Sequence, residues 1–228
     1  MVLVYLVVCF FVFLAGFVDS IAGGGGLISL PAYMIAGLPV HTAIATNKMS
    51  SSMGTFVASF HYMKKGFMKW KICIPAVFGA IAGSWIGSHL ALLISEKALK
   101  IAMLVVLPVI LFYVLRSKAL KGKDENATEV INGMLIFKSI LIAAVVGIYD
   151  GTGTFLMLLF TGFCHMTLND AAGATKAINL TTNITALVVF LINGKVLLPL
   201  GIAAGVCNMA GNYLGSHSFT SNGHKIVK

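Results

Sequence analysis

AGFVDSIAGGGGLISLPAYMIAGLPVHTAIATNKMSSS, residues 15–52, sets an acid, four consecutive glycines and a lysine inside sequence that otherwise favours hydrocarbon. Glycine forms helix poorly, so a helix that runs through Asp19 should unwind across Gly23, Gly24, Gly25 and Gly26. Residues 27–35 are too few to cross a bilayer straight. They read as a half-helix that either re-enters or completes a broken crossing. Pro39, Val40 and His41 then open a longer helix holding Thr46, Asn47, Lys48, Ser50, Ser51 and Ser52.

Around this stretch the chain is 58% hydrophobic and only 10% charged, whereas soluble domains are nearer half apolar and a quarter charged. The composition points to a polytopic, all-α membrane protein. Apolar segments at 1–18, 72–94, 98–115, 133–149 and 196–214 approach the ~20 residues that cross about 30 Å of hydrocarbon. Without water to satisfy their backbones, such segments must be helical. The first lacks the basic n-region of a cleaved signal peptide and reads as a permanent span.

The formal net charge of +9 is spread over short loops between apolar segments, the distribution of cytoplasmic loop anchoring. It gives no basic domain and argues against a nucleic-acid partner; the partners expected are the lipid bilayer and a small solute. Lys64, Lys65, Lys69 and Lys71 form the most basic short loop, which is expected in the cytoplasm together with the linker that begins at Arg116. Cys9, Cys73, Cys164 and Cys207 stand singly and read as small core residues.

A second glycine element begins at Val146, in VGIYDGTGTFLMLLFTGF, and continues through AGATKAINLTTN. Lys48 falls on Lys176, Ser51 on Asn179, Gly66 on Gly194 and Gly87-Ser88-His89 on Gly215-Ser216-His217 at one constant offset of 128. Asp19 meets Asp150 at 131, because the second glycine turn is shorter. The chain therefore reads as two copies of one unit. Residues 1–115 form the first, 116–132 a polar cytoplasmic linker, 133–217 the second and 218–228 a polar tail without apolar periodicity. The second copy is expected to lack its last helix. If the broken segment crosses, the copies are inverted; if it re-enters, they are parallel. The single Lys195 opposite the four-lysine loop favours inversion.

An acid at membrane depth is a functional candidate by default, although Asp19 and Asp150 can also cap the half-helices that follow them. Carboxylates in a poor solvent suit proton coupling. Lys48 and Lys176 can snorkel towards an interface, neutralise an anion, or pair with Asp19 and Asp150 when the site is empty. Asn47, Ser51, Thr175, Asn179 and Asn183 lie within a turn or two as hydrogen-bond donors. The glycine runs lack the Lys-Ser/Thr of a phosphate loop and the strand–helix setting of a dinucleotide fold, so no cofactor is expected. They read instead as unwound backbone beside half-helix N-termini, which attract anions. His61, His89 and His217 have no metal-ligand spacing and read as packing or interfacial residues.

At GFVDSIAGGGGLISLP with AIATNK, and at GIYDGTGTFLMLLFTGF with ATKAINLTTN, the chain resembles the TauE/SafE family of membrane permeases, the sulfite-exporter-like group, over nearly all of residues 1–217. The resemblance implies a duplicated helical bundle in the cytoplasmic membrane that moves small anions such as sulfite or sulfonates, coupled to protons. Asp19, Gly23 to Gly26, Pro31, Thr46 and Asn47 fall on its first motif. Asp150, Gly151, Gly153, Lys176 and Asn179 fall on its second. The turn GTGT is shorter here than in such permeases. The rival readings are an intramembrane enzyme, which would need Asp19 and Asp150 within hydrogen-bonding reach, and a passive anion channel.

Overall fold

The computed structural model describes residues 2–116, 132–149 and 153–226. Apart from its two ends, the expected linker lies outside the described residues. Among the described residues every regular element is a helix: α1 Val2–Ala22, α2 Gly26–Ile35, α3 Val40–Lys64, α4 Trp70–Leu93, α5 Glu96–Arg116, α6 Gly133–Tyr149, α7 Gly153–Gly162, α8 Leu168–Ile192 and α9 Leu198–Ile226.

The break after α1 falls at the glycine run. Gly23 takes φ +79, a left-handed conformation that a side chain disfavours, and its N–H still reaches the Asp19 carbonyl at 2.8 Å. α2 then turns back along α1. Gly25 lies against Asp19 and Ala15, while Tyr33 packs with Val8 and Val12. The opening of α3 at Val40 and its end at Lys64, closed by Gly66 at φ +76, follow the sequence reading.

Among the described residues three helices are long and apolar enough to cross a membrane: Leu3–Ala22, Trp70–Leu93 and Leu168–Ile192. The third was not among the apolar runs singled out in the sequence. NDAAGATKAINLTTN interrupts its hydrocarbon side chains, yet Ala171, Ala174, Thr175, Lys176, Ile178 and Asn179 are buried inside the bundle. α3 behaves likewise, with Thr46, Asn47, Lys48, Ser50 and Thr55 buried. The expected span 98–115 falls within α5, 133–149 coincides with α6, and 196–214 begins two residues before α9 and otherwise falls within it.

Between lipid-facing helices the hydrophobic effect supplies little attraction, so close backbone approach must hold them together. α4 presents Gly79, Gly83 and Gly87 to the backbones of Ile140, Ala144 and Ile148 on α6. α9 presents Gly211 and Gly215 to Phe13 and Phe17 on α1. In both pairs the residue numbers rise together, so the helices are parallel. α3 and α8 run the opposite way past each other. Ser59 Oγ donates to the Lys176 carbonyl at 3.1 Å, whereas nearer the start of α3 the Thr46 hydroxyl accepts from Leu197 N, just beyond α8, at 3.1 Å. The lysine loop marks one end of this pair, where Lys69 meets Asp170 at 3.6 Å. At the other end His41 meets Glu96 at 3.4 Å and ties the start of α3 to the start of α5.

Residues 218–226, expected as a tail without periodicity, continue α9. Their hydroxyls fold back onto the helix, as Ser218 Oγ does onto the Leu214 carbonyl at 2.8 Å. One apolar residue, Phe219, is buried edge-on against Tyr62 with ring centroids 5.6 Å apart. A single buried ring leaves no periodic signal in sequence. The next residue, Thr220, places Oγ1 2.9 Å from His61 Nε2.

Candidate functional site

Asp19 ends α1 one turn before the glycine break, so its carboxylate projects where the helix ladder stops. Lys176, from the middle of α8, meets it: Nζ lies 2.8 Å from Asp19 Oδ2 and also donates to the Asp19 carbonyl oxygen. Lys176 is 2% exposed. The other carboxylate oxygen accepts from Gly25 N at 3.4 Å, so Asp19 also caps the approach to α2. A charge taken out of water is tolerable only when paired and hydrogen-bonded, and this carboxylate has a cation and one backbone N–H against it.

The start of α7 meets the first glycine break directly. Thr154 N donates to the Gly23 carbonyl at 3.0 Å. A Cβ on Gly23 would collide with the Gly153 backbone, and one on Gly153 would collide with the Asn179 side-chain amide. Two glycines from distant parts of the chain are thus required by one crossing.

A cavity of about 620 Å³ opens beside this crossing. Of the residues predicted from sequence, Asp19, Gly23, Gly25, Gly26 and Gly153 line it from the glycine breaks. Asn47, Lys48 and Ser51 line it from α3, and Asn179 from α8. Lys48, 7% exposed, places Nζ 2.9 Å from Asn183 Oδ1, and the Asn183 amide in turn reaches Thr55 Oγ1 at 3.5 Å. Ser51 Oγ donates to Asn47 Oδ1 at 3.4 Å.

Other predicted residues stand elsewhere. Lys176 lies behind Asp19 and is not part of the cavity wall. Thr46 faces Leu197 N rather than the cavity, and Gly24 packs against Thr154. Thr175 is buried outside the wall, its hydroxyl without a hydrogen-bond partner among the described residues. Asp150 and Gly151 lie outside the described residues.

Thr55, Ser88, Thr182 and Asn208 join the wall without having been singled out as binding residues. Two of them carried a signal. Thr55 continues the Lys48–Ser51 stripe by one further turn, and Thr182 follows Asn179 by three residues, so both share a helix face with predicted positions. Asn208 and Asn212 are two amides in an otherwise apolar run, and of the two Asn208 reaches the wall. It is buried because its Nδ2 donates to the Val12 carbonyl at 3.3 Å and its Oδ1 accepts from Asn212 at 2.6 Å.

The arrangement can hold a negatively charged or strongly polar solute. It offers a lysine, side-chain amides, hydroxyls and unwound backbone inside a helical bundle, where a solute that sheds its hydration needs replacement donors. The family model described as sulfite exporter TauE/SafE matches residues 8–227. The probable membrane transporter protein ORF9 of Sinorhizobium sp is 32% identical over 221 residues, covering 95% of this chain and 83% of the relative. The probable membrane transporter protein YfcA of Escherichia coli (strain K12) is 33% identical over 231 residues, covering 97% and 83%. The probable membrane transporter protein YdhB of Bacillus subtilis (strain 168) is 21% identical over 231 residues, covering 99% and 92%. No solved structure matches the chain. Because the family model matches residues 8–227, nearly the whole chain, the chain belongs to the TauE/SafE family of membrane transporter proteins.

Proposed function

We propose that this chain is a secondary permease for small anions, multi-pass in the cytoplasmic membrane, built from two inverted copies of one helical unit. One observation carries the anion reading. A single cavity is walled by Asp19 and its glycine break, by the Lys48 stripe of α3, and by Asn179 with Gly153 from the second half. An anion entering there exchanges hydration for the Lys48 ammonium and side-chain amides, whereas a neutral solute gains less from the same donors.

The inverted arrangement is supported by helix direction. α3 and α8 carry the matching lysines and pass each other antiparallel. The parallel pairs, α4 with α6 and α1 with α9, each join one half to the other through glycines at matching positions. Inverted halves meeting at a central site allow one half to rock against the other and expose that site to each side in turn. On this reading the lysine loop Lys64–Lys71 and the linker at Arg116 face the cytoplasm. A probe that labels a cysteine at position 65 from outside intact cells would overturn that orientation.

The family description names sulfite, which makes sulfur-containing anions the first to try, and a carboxylate at the break suits proton coupling. The test is counterflow of labelled sulfite and short sulfonates in liposomes, with Lys48, Lys176, Asp19 and Asp150 replaced singly. Exchange should depend on pH in the parent and lose that dependence in Asp19→Asn or Asp150→Asn, according to which acid carries the proton. Four variants that all exchange anion like the parent at every pH would refute the site.

A further inference from the structure

The cavity changes chemistry along its length, and the change follows helix direction. On α3, Lys48 and Ser51 give way one turn towards the helix start to Ile44. On α8, Asn179 and Asn183 give way two turns towards the helix end to Phe190. Because α3 and α8 are antiparallel, both changes point to the same end of the bundle, away from the lysine loop. α5 begins at that end, and its first two turns add Leu99 and Met103 to the wall. These side chains belong to one packed cluster, in which Ile44 is 7% exposed and Phe190 1%. The apolar end is therefore a formed surface and not a gap between loose helices.

We infer that the anion bound here carries an apolar body of about three to six carbons behind its charged group, and is not a bare inorganic oxyanion; this rests on the permease reading above. About 620 Å³ lies in the range of pockets that hold drug-sized organic ligands. An oxyanion of four or five heavy atoms at Lys48 would leave most of that space to water facing Ile44, Leu99, Met103 and Phe190, which offer it no hydrogen bonds. An organic anion fills both ends. Its head meets Lys48, Asn47 and Asn183, and its body runs along the two helices that supply those groups, one turn on along α3 and two along α8. Sulfonate and carboxylate heads share the required chemistry.

The experiment measures competition by unlabelled anions against a labelled one, using the full chain in liposomes. The competitors are methane-, propane- and hexanesulfonate, the carboxylates of equal length, sulfite, sulfate, and hexanol as an uncharged control. Affinity should rise about fourfold per methylene, with sulfate and hexanol weak. Leu99→Ser, at a half-buried position, and Ile44→Ser should each cut the ratio of hexane- to methanesulfonate affinity at least tenfold. Equal affinity for methane- and hexanesulfonate overturns the apolar body while leaving an anion site intact. A chain-length slope that survives both substitutions also overturns it, because the slope then reflects partition into lipid. Absence of competition by every anion, short or long, overturns the permease reading of the cavity and this inference with it.

Discussion

Lys48 and Lys176 occupy matching places in the chain, 128 residues apart, on helices of equal length. Their surroundings differ. Lys176 is sealed at 2% exposure against the Asp19 carboxylate and carbonyl, behind the cavity wall. Lys48 forms part of the wall, with its ammonium on the Asn183 side-chain oxygen. Lys176 holds a broken helix end to α8, while Lys48 stands in the wall of the cavity that the proposed reading gives to the solute. Chemically identical residues thus stand in different settings, one behind the cavity wall and one in it.

The largest effect that bears on this contrast is expected from Lys176→Met. It strands the Asp19 charge among buried groups, and breaking such a pair from one side costs about 3–5 kcal/mol. Chemical denaturation in detergent should show that loss, and adding Asp19→Asn should recover most of it. A single variant as stable as the parent would erase the distinction between the two lysines.

Lys48→Gln should act on the solute instead. Removing a charged hydrogen-bond donor is worth about 1.5–3 kcal/mol, so anion counterflow should fall roughly 10- to 100-fold, with a smaller loss of stability than Lys176→Met. If the stability losses rank the other way, the two roles have been assigned in reverse.

The smallest effect is expected at Thr46. Its hydroxyl accepts from Leu197 N at the turn into α9 and does not line the cavity. Thr46→Val should cost about 0.5–1.5 kcal/mol and leave anion exchange at the parental rate. A loss of exchange without a loss of stability would move Thr46 into the site.

Much of the cavity wall was legible beforehand, for local reasons. Gly23 to Gly26 break a helix wherever they stand, since their cost is paid residue by residue, and the break falls between Ala22 and Gly26. Asn47, Lys48 and Ser51 share one helical face, and all three reach the cavity. Thr46, put forward on the family motif, stands two positions before Lys48 on α3 and turns to Leu197 N instead; Thr175 shares a face with Asn179 four residues on, yet lies outside the wall. Asn208 was not singled out although Asn212 follows it at helical spacing, because the run around the two amides is apolar. Its burial depends on α1 and Asn212.

By itself the sequence determined an apolar, helical, membrane-embedded chain interrupted at its glycines, because composition and backbone propensity act locally. That Lys176 reaches Asp19, that Gly23 and Gly153 meet, and that the polar stripes of α3 and α8 close one cavity with an apolar end were decided by tertiary structure alone. The reason is one of distance along the chain. Lys176 and Asp19 are 157 residues apart, and at such separation partner choice follows from helix direction and from where glycines let backbones touch.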